Sequence, residues 1–214
     1  MKLYTYFRSS AAYRVRIVLG LKGLAWQPEY IHLVNNGGEH RSSSYRAVNP
    51  QGLVPALEDG DAVLTQSTAI CEYLEERHPE PALLPADAVE RAYVRSVMSA
   101  VACDIHPLNN LRVLNHLTGP LQLGDDTRIA WYRHWVAVGF AGLEAQLVGA
   151  GRTGAFTLGD SPTLADAFLV PQVYNARRFE CPLIDFPTIT AIADNCNALE
   201  PFRVAAPEMQ GDAG

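Results

Sequence analysis

The spacing of apolar and polar residues divides the chain into a first part with strands and a second part with helices only. In the first part, β-favouring segments alternate with helical spacing, and the short polar stretch ending at Ala47 is weakly helical at best. The order β-α-β followed by β-β-α is typical of a small sheet covered by helices. The elements expected there are a strand at 2–7, a helix at 12–22, strands at 26–33, 54–57 and 62–64, and a helix at 67–77.

A proline-rich segment, 79–87, separates the two parts, because prolines cannot continue a helix. Beyond it the apolar spacing is helical throughout, with a kink expected at His106-Pro107. Thr163 and Asp166 predict a capping box at the start of one of these helices. The helices expected are 89–116, 127–148 (with Trp131, Trp135, Val138 and Leu147 at helical intervals), 163–179 and 187–199. We therefore predict a first domain at 1–79, a linker at 80–87 and an all-helical domain at 88–214.

Composition and charge narrow the function classes. The chain has 214 residues, 48% of them hydrophobic, which is typical of a folded protein with a sizeable core. With 17 basic and 23 acidic residues the net charge is −6, so nucleic acid is a poor partner. No apolar run approaches the roughly 18 residues of a membrane span, and the start lacks a signal-peptide pattern. We expect a cytoplasmic protein without a membrane segment.

The cysteines and histidines do not predict a metal site. The 4 cysteines are scattered without a C-x-x-C pair, and no H-E-x-x-H motif occurs. In a cytoplasmic chain such cysteines are mostly reduced and buried. We expect no structural metal.

Three short motifs in the first part have both a structural and a functional interpretation. Arg8-Ser9-Ser10 joins the first strand to the first helix, where helix amides and a hydroxyl can stabilise a thiolate, although local sequence favours a simple N-cap. Val54-Pro55 enters a strand, which indicates either a cis bond beside a ligand or an ordinary edge strand. Gln66-Ser67 begins a helix and either holds a carboxylate or caps the helix.

A group of cationic side chains lies in the second part. Arginine binds carboxylates through a planar fork, so a cluster in a cleft would indicate a substrate with two acidic groups. Surface salt bridging explains most arginines equally well. The group comprises His106, Arg112, Arg177 and Arg178.

Taken together, these motifs resemble the zeta class of glutathione transferases. The resemblance covers nearly the whole chain in one register. It rests on Tyr6-Phe7-Arg8-Ser9-Ser10 followed by Tyr13-Arg14-Val15-Arg16-Ile17, on Ala47-Val48-Asn49-Pro50, Gln66-Ser67, Glu72-Tyr73-Leu74-Glu75-Glu76 and Leu83-Leu84-Pro85, and on Leu169-Val170-Pro171-Gln172-Val173 with Asn175-Ala176-Arg177-Arg178-Phe179.

The resemblance implies the glutathione transferase fold, an α/β thioredoxin-like domain followed by an all-α domain, and a homodimer. It implies a glutathione-dependent cis-trans isomerase of a maleyl dioxo acid in aromatic catabolism, either maleylacetoacetate or maleylpyruvate, with glutathione as cofactor. The catalytic positions implied are Arg8, Ser9 and Ser10. Those for glutathione are Ser9, Ser10, His40, Val54, Pro55, Gln66, Ser67, His106 and Asn110, and those for the two substrate carboxylates are Arg8, Arg112 and Arg178.

One position departs from the family pattern. The family usually has Ser-Ser-Cys at the first turn, and this chain has Ser9-Ser10-Ala11. Because the nucleophile would be the thiol of glutathione, a protein thiol there is not required. A protonated His106 would add a further partner for the thiolate. Two alternatives stay open: a general glutathione transferase that conjugates small electrophiles or halogenated acids, and a non-catalytic interaction protein of this fold.

Overall fold

The computed structural model describes residues 1–213, which divide into two compact units. The first unit contains Met1–Leu83 together with the residues from Ala198 onward, and the second contains Leu84–Asn197. The elements of the first unit are β1 (Lys2–Thr5), α1 (Ser10–Leu21), β2 (Gln27–Tyr30), α2 (Ser43–Val48), β3 (Ala56–Asp59), β4 (Ala62–Thr65), α3 (Ser67–Arg77) and α9 (Glu200–Ala205), with short 3-10 turns at Asn35–Gly37, Glu39–Arg41 and Pro207–Met209.

The first unit is built on a four-stranded mixed sheet in the order β2-β1-β3-β4. Strand β1 runs parallel to β2, pairing Leu3 with Pro28, and antiparallel to β3, pairing Leu3 with Leu57. The parallel pair requires a crossover, which α1 supplies. The strands and α3 therefore follow the predicted order, and α3 has the predicted bounds.

Helix α1 packs against α3 and α9 and is buried over most of its length. Its interior side includes apolar Val15 and Val18 and also the charged Arg14 and Arg16, each 2% exposed. Two helices differ from the sequence expectation. Helix α2 is a regular turn of helix because Ser42 caps it, its Oγ accepting from Tyr45 N at 3.2 Å, and α9 was not predicted.

The end of the chain differs from the predicted domain boundary. We expected one helical domain over 88–214, whereas α9 and the residues after it belong to the first unit. The physical reason is the packing of α9 on α1, where Gly20 lies against Pro201 and a built Cβ would be 3.3 Å from that ring. Local spacing of apolar residues does not show which distant helix an end segment will cover.

The second unit consists of helices and short helical turns. Along α6 every third or fourth residue is buried, which gives one apolar stripe. That stripe contains Tyr132, Val136 and Phe140, so the predicted face was wrong at Val138, which is 52% exposed. The elements are α4 (Ala88–Ser99), a π-helical turn (Ala100–Ile105), a 3-10 turn (His106–Asn109), α5 (Leu111–Thr118), α6 (Asp125–Ala150), α7 (Leu164–Arg178) and α8 (Pro187–Ala198).

The helix predicted over 89–116 breaks earlier than expected. Pro107 has no N–H and would clash with the carbonyl of Cys103 in a regular α-helix. The preceding turn is accordingly π-helical from Ala100 to Ile105. Ile105 packs directly on Gly139 of α6, where a side chain at 139 would collide with it.

Within residues 1–213, no helix is long and apolar enough to cross a membrane. The same residues contain no cluster of three or more His, Cys, Asp or Glu side chains arranged to hold a metal ion.

Candidate functional site

The start of α1 presents Ser9 at the end of the turn that follows β1. Ser9 is the N-cap of α1, and its Oγ accepts a hydrogen bond from Ala12 N at 3.2 Å. The structural interpretation of this serine is therefore confirmed. A hydroxyl has one donor and two acceptor positions, and no described residue accepts the Ser9 hydroxyl hydrogen at hydrogen-bond distance. The side chain is half-buried, so capping leaves its donor available to an anion.

The two neighbours of Ser9 have opposite environments. Ser10 is the first residue of α1 and is buried, at 6% exposure. Arg8 is exposed, and its guanidinium carbon lies 4.8 Å from the centroid of the Phe7 ring. Within residues 1–213 no carboxylate forms an ion pair with Arg8. Its charge is therefore available at the turn.

The start of α3 carries an unusual backbone conformation. Gln66 has φ 70° and ψ 116°, a region that residues other than glycine rarely adopt, and its side chain does not cap α3. Instead Gln66 Nε2 donates to Gln51 Oε1 at 2.6 Å. Unusual backbone of this kind is concentrated at ligand-binding sites. The capping interpretation of Gln66 is therefore wrong, and the functional interpretation stays a prediction.

Ser67 follows as the first residue of α3 and is 6% exposed. Its Oγ accepts from Nη1 of the buried Arg14 at 3.1 Å. The hydroxyl keeps its own hydrogen as a donor, beside the positive end of the α3 dipole. This arrangement suits a carboxylate ligand.

The loop before β3 is held by two side chains. Tyr45 Oη and Asn49 Nδ2 both donate to the Leu53 carbonyl oxygen, at 2.6 and 2.7 Å. The bond between Val54 and Pro55 is cis, one of the two alternatives that the sequence left open. Val54 lies outside the sheet ladder, which begins at Ala56 opposite Tyr4. Burial raises the pKa of Tyr45, so its phenol stays a neutral donor at physiological pH.

His40 lies in the 3-10 turn Glu39–Arg41, with its ring packed against Gly38. Burial, followed by the charges of Arg41 and Arg46, lowers the pKa of His40 below 6.5. Its Nδ1 atom is buried without a hydrogen-bond partner in the described part of the chain. A cleft of about 570 Å³ lies beside this loop and includes Ile31, Asn36 and Tyr45 in its wall, but none of the residues predicted to bind glutathione.

In the second unit, Asn110 connects two other predicted residues. It is the N-cap of α5, its Oδ1 accepting from Arg112 N at 3.1 Å. Its Nδ2 lies 3.3 Å from His106 Nε2. The role of His106 as a partner for the thiolate stays a prediction.

Two adjacent arginines at the end of α7 have different surroundings. Arg177 Nη2 donates to Asp194 Oδ1 at 2.7 Å, so the salt-bridge interpretation holds for this residue. The guanidinium of Arg178 instead lies 5.2 Å from the Phe179 ring centroid, and no ion pair within residues 1–213 involves Arg178 or Arg112. In the second unit, hydrogen-bond contacts join Asn110 to His106 and to Arg112, and Arg178 contacts the Phe179 ring.

Arg14 and Arg16 belong to the motif Tyr13-Arg14-Val15-Arg16-Ile17, but neither was predicted to have a role in the site. Both are buried charges inside α1, and both contact predicted site elements: Arg14 bonds to Ser67, and Arg16 bonds to the Phe7 carbonyl oxygen at 3.1 Å. A usable signal was present, because both arginines alternate with apolar residues in a segment without a polar face. Asp212, which accepts from Phe7 N at 3.0 Å, has no comparable local signal.

Comparisons with known proteins agree with these observations. Residues 3–82 match the family "Glutathione S-transferase, N-terminal domain". A maleylacetoacetate isomerase of Pseudomonas aeruginosa is 50% identical over 215 residues, 99% of this chain and 98% of that protein.

Two solved structures superpose over the full length of both chains. One is a maleylpyruvate isomerase described as a bacterial zeta-class glutathione S-transferase, with 46% identity and a TM-score of 0.97. The other is a maleylacetoacetate isomerase of Methylobacterium extorquens AM1 with bound malonate and glutathione, with 37% identity and a TM-score of 0.96.

The mixed sheet and the helical unit define a glutathione transferase fold, which confirms the predicted fold class. More narrowly, the chain belongs to the zeta-class family of maleylacetoacetate and maleylpyruvate isomerases.

Proposed function

We propose that this protein is a glutathione-dependent cis-trans isomerase of a maleyl dioxo acid, either maleylacetoacetate or maleylpyruvate. The observation that carries the proposal is the pair of helix starts in the first unit. Ser9 and Ser67 each accept one internal hydrogen bond and keep a hydroxyl donor at the positive end of a helix. Relatives that are isomerases match the whole chain.

The residues present fit glutathione, which carries a thiol and two carboxylates. The first turn of α1, with Ser9, suits the thiolate, and Ser67 with the backbone of Gln66 suits a carboxylate. Val54, Pro55 and His40 complete the predicted set in this unit, and His40 is a neutral hydrogen-bond donor there. When bound, glutathione supplies the nucleophile that adds reversibly to an electron-poor double bond and is regenerated.

The chain's own task is to keep that thiol ionised. A free thiol with a pKa of about 8.5 is only about 3% thiolate at pH 7. Lowering the pKa by about two units makes thiolate the major form and corresponds to about 2.7 kcal/mol of differential stabilisation. The Ser9 hydroxyl and the amides of the first turn of α1 supply this stabilisation. Ala11 contributes its backbone amide, so the missing cysteine does not remove a donor.

The second task is to hold a substrate with two carboxylates. Arg8, Arg112 and Arg178 are the cations assigned to it, and none of them is neutralised by a carboxylate of the described residues. Arg8 in the first unit and Arg112 and Arg178 in the second unit have exposed side chains, and their guanidinium groups form no ion pair among residues 1–213. An unpaired guanidinium binds a carboxylate in bidentate fashion and stabilises the negative charge that develops on the substrate when the double bond is attacked.

A spectrophotometric isomerisation assay tests the proposal. Maleylacetoacetate and maleylpyruvate are each supplied with the enzyme at zero, catalytic and stoichiometric glutathione. Many turnovers per glutathione are expected with at least one substrate. Consumption of one glutathione per turnover would identify a conjugating transferase instead, and absence of glutathione binding would identify a non-catalytic protein.

We propose in addition a cytoplasmic homodimer. The support for the dimer is the family resemblance. The support for the compartment is that all 4 cysteines are free thiols, as expected in a reducing environment. Light scattering coupled to size exclusion is expected to give twice the chain mass of 23.4 kDa.

A further inference from the structure

The turn between β1 and α1 includes Phe7, the residue before Arg8, whose backbone is bound by two side chains from other segments of the chain. Its N–H donates to Asp212 Oδ2 at 3.0 Å, across 205 positions of sequence. Its carbonyl oxygen accepts from Arg16 Nη2 at 3.1 Å. Both backbone polar groups of Phe7 are therefore bound by side chains from other segments.

Arg16 links this turn to the end of the chain. Its Nη1 donates to Thr5 Oγ1 at 3.1 Å, and its Nε donates to the Ala205 carbonyl oxygen at 2.9 Å. Ala205 is the last residue of α9, where carbonyl oxygens have no partner inside the helix and a cation is favoured. The guanidinium is 2% exposed, so these bonds are made without competition from water.

The segment after α9 has a defined path to Asp212. Gln210 Nε2 donates to the carbonyl oxygens of Val204 and Ala206, both at 3.0 Å, which folds the segment back on α9. Gly211 lies against the end of β2, where a built Cβ would be 2.6 Å from Tyr30 Oη. A side chain at position 211 would require the Tyr30 ring to move, so glycine allows this close approach beside Asp212.

Asp212 is not arranged only for stability. One of its carboxylate oxygens bonds to Phe7, while Oδ1 is buried and has no partner among residues 1–213. A buried oxygen without a partner costs about 1–3 kcal/mol. Asp212 therefore makes a specific hydrogen bond to the Phe7 amide at a cost to the stability of the segment.

We propose that the C-terminal segment 206–213 positions the Arg8–Ser9 turn, with Asp212 as a positioning residue for the thiolate site. The inference rests on the proposed function, because it assigns this segment to the site that ionises glutathione. Through the Phe7 peptide, Asp212 fixes the direction in which the chain enters Arg8 and Ser9. It does not contact substrate.

The test uses Asp212→Ala, with Asp212→Asn as the rescue variant and Met209→Ala as the control, since Met209 is an exposed residue of the same segment. The pKa of the enzyme-bound glutathione thiol is followed by ultraviolet absorbance of the thiolate, together with kcat and KM. In Asp212→Ala we expect a bound-thiol pKa higher by about one unit, which corresponds to an ionisation constant of the bound thiol about tenfold smaller. The other two variants should resemble wild type, because asparagine keeps an acceptor oxygen.

Hydrogen exchange of the Phe7 amide in the ligand-free full chain separates this inference from the proposed function. Exchange should be faster in Asp212→Ala than in Met209→Ala, whether or not glutathione binds. If the wild type binds glutathione as thiolate but Asp212→Ala has the same thiol pKa and the same Phe7 exchange, the positioning role is wrong. A lower thermal midpoint with an unchanged thiol pKa would also overturn it, since that describes a purely structural residue.

Discussion

Helices α1 and α7 both begin with a hydroxyl N-cap, but the two caps are used differently. At α7, Thr163 and Asp166 form the predicted capping box, and Asp166 accepts four hydrogen bonds from Thr157 and Thr163 at 2.7–3.0 Å. Burial raises the pKa of Asp166, and these bonds oppose the shift. At α1, Ser9 accepts a single bond from Ala12.

The difference separates structural from functional polar groups. At the start of α7, the backbone N–H groups and hydroxyls of Thr157 and Thr163 all have acceptors inside the protein. At α1 the cap is half-buried and keeps a donor. The same local motif therefore stabilises the fold in one unit and leaves a hydroxyl donor available in the other, and the distinction lies in what surrounds the cap.

The largest expected effect is a loss of stability at the start of α7, where Thr163 and Asp166 form the capping box. Asp166→Ala leaves the buried N–H groups of Thr157 and Thr163 without an acceptor, and each buried unsatisfied donor costs about 1–3 kcal/mol. We expect the free energy of unfolding to fall by about 3–5 kcal/mol, with the hydroxyls adding to the loss. Urea titration followed by near-ultraviolet circular dichroism measures this, since Trp131 and Trp135 lie in the same unit.

Asp126→Ala is the matched control, because Asp126 is an exposed carboxylate in the first turn of α6. If Asp166→Ala gives no folded protein, Thr163→Ala gives a graded test, with an expected loss of about 1–2 kcal/mol. Equal effects of Asp166→Ala and Asp126→Ala would contradict the comparison between the two caps.

At the start of α1, where the Ser9 hydroxyl keeps a donor, the expected loss is in catalysis. Ser9→Ala should lower glutathione-dependent kcat/KM by about 10²–10³, the usual effect of removing one donor to a developing or stabilised anion. The free energy of unfolding should fall by only about 1 kcal/mol. Parallel isomerase assays and urea titrations measure both, with Ser9→Thr as a control that keeps the hydroxyl. Unchanged turnover in Ser9→Ala would remove Ser9 from the mechanism.

The sequence allowed the elements with strong local signals to be predicted. Helix α3 has the predicted bounds, and the capping box at Thr163 and Asp166 is confirmed, because both depend on residues within one turn. The cis bond before Pro55 was one of two open alternatives. The family resemblance supplied the predicted site residues, which local patterns alone would not support.

Three features depend on contacts that are distant in sequence. The tail from Ala198 joins the first unit because α9 packs on α1. Gln66 has an unusual backbone conformation where the sequence suggested either a carboxylate site or a helix cap. Asp212 accepts a hydrogen bond from the Phe7 amide across 205 positions of sequence. None of these is encoded in the spacing of neighbouring residues.

The two adjacent arginines at the end of α7 repeat this contrast. Arg177 is paired with Asp194, whereas Arg178 forms no ion pair among residues 1–213. Arg178→Gln should raise the KM for the maleyl substrate by about 10–100-fold, since a lost charge-assisted pair is worth about 1.5–3 kcal/mol. Arg177→Gln is the control: it removes an exposed pair with Asp194, which contributes about 0–1 kcal/mol to stability and nothing to substrate binding. Steady-state kinetics at saturating glutathione compare the two. Equal KM values in both variants would place the substrate carboxylate elsewhere.

The smallest effect concerns His40, whose buried Nδ1 is another unsatisfied group. Because burial and the nearby Arg41 and Arg46 lower its pKa below 6.5, the unfolded chain takes up a proton at a higher pH than the folded chain. The free energy of unfolding should therefore be unaffected above pH 6.5 and should fall as the pH drops through 6.5 towards the folded-state pKa.

His40→Gln should remove this dependence of the free energy of unfolding on pH. The effect should be below about 1 kcal/mol because the imidazole is partly exposed. Urea midpoints between about pH 5 and 7.5 measure it, with exposed His116→Gln as the control. If the slope survives in His40→Gln and disappears in His116→Gln, the titrating residue is His116. The predicted effect of burial on His40 would then be wrong.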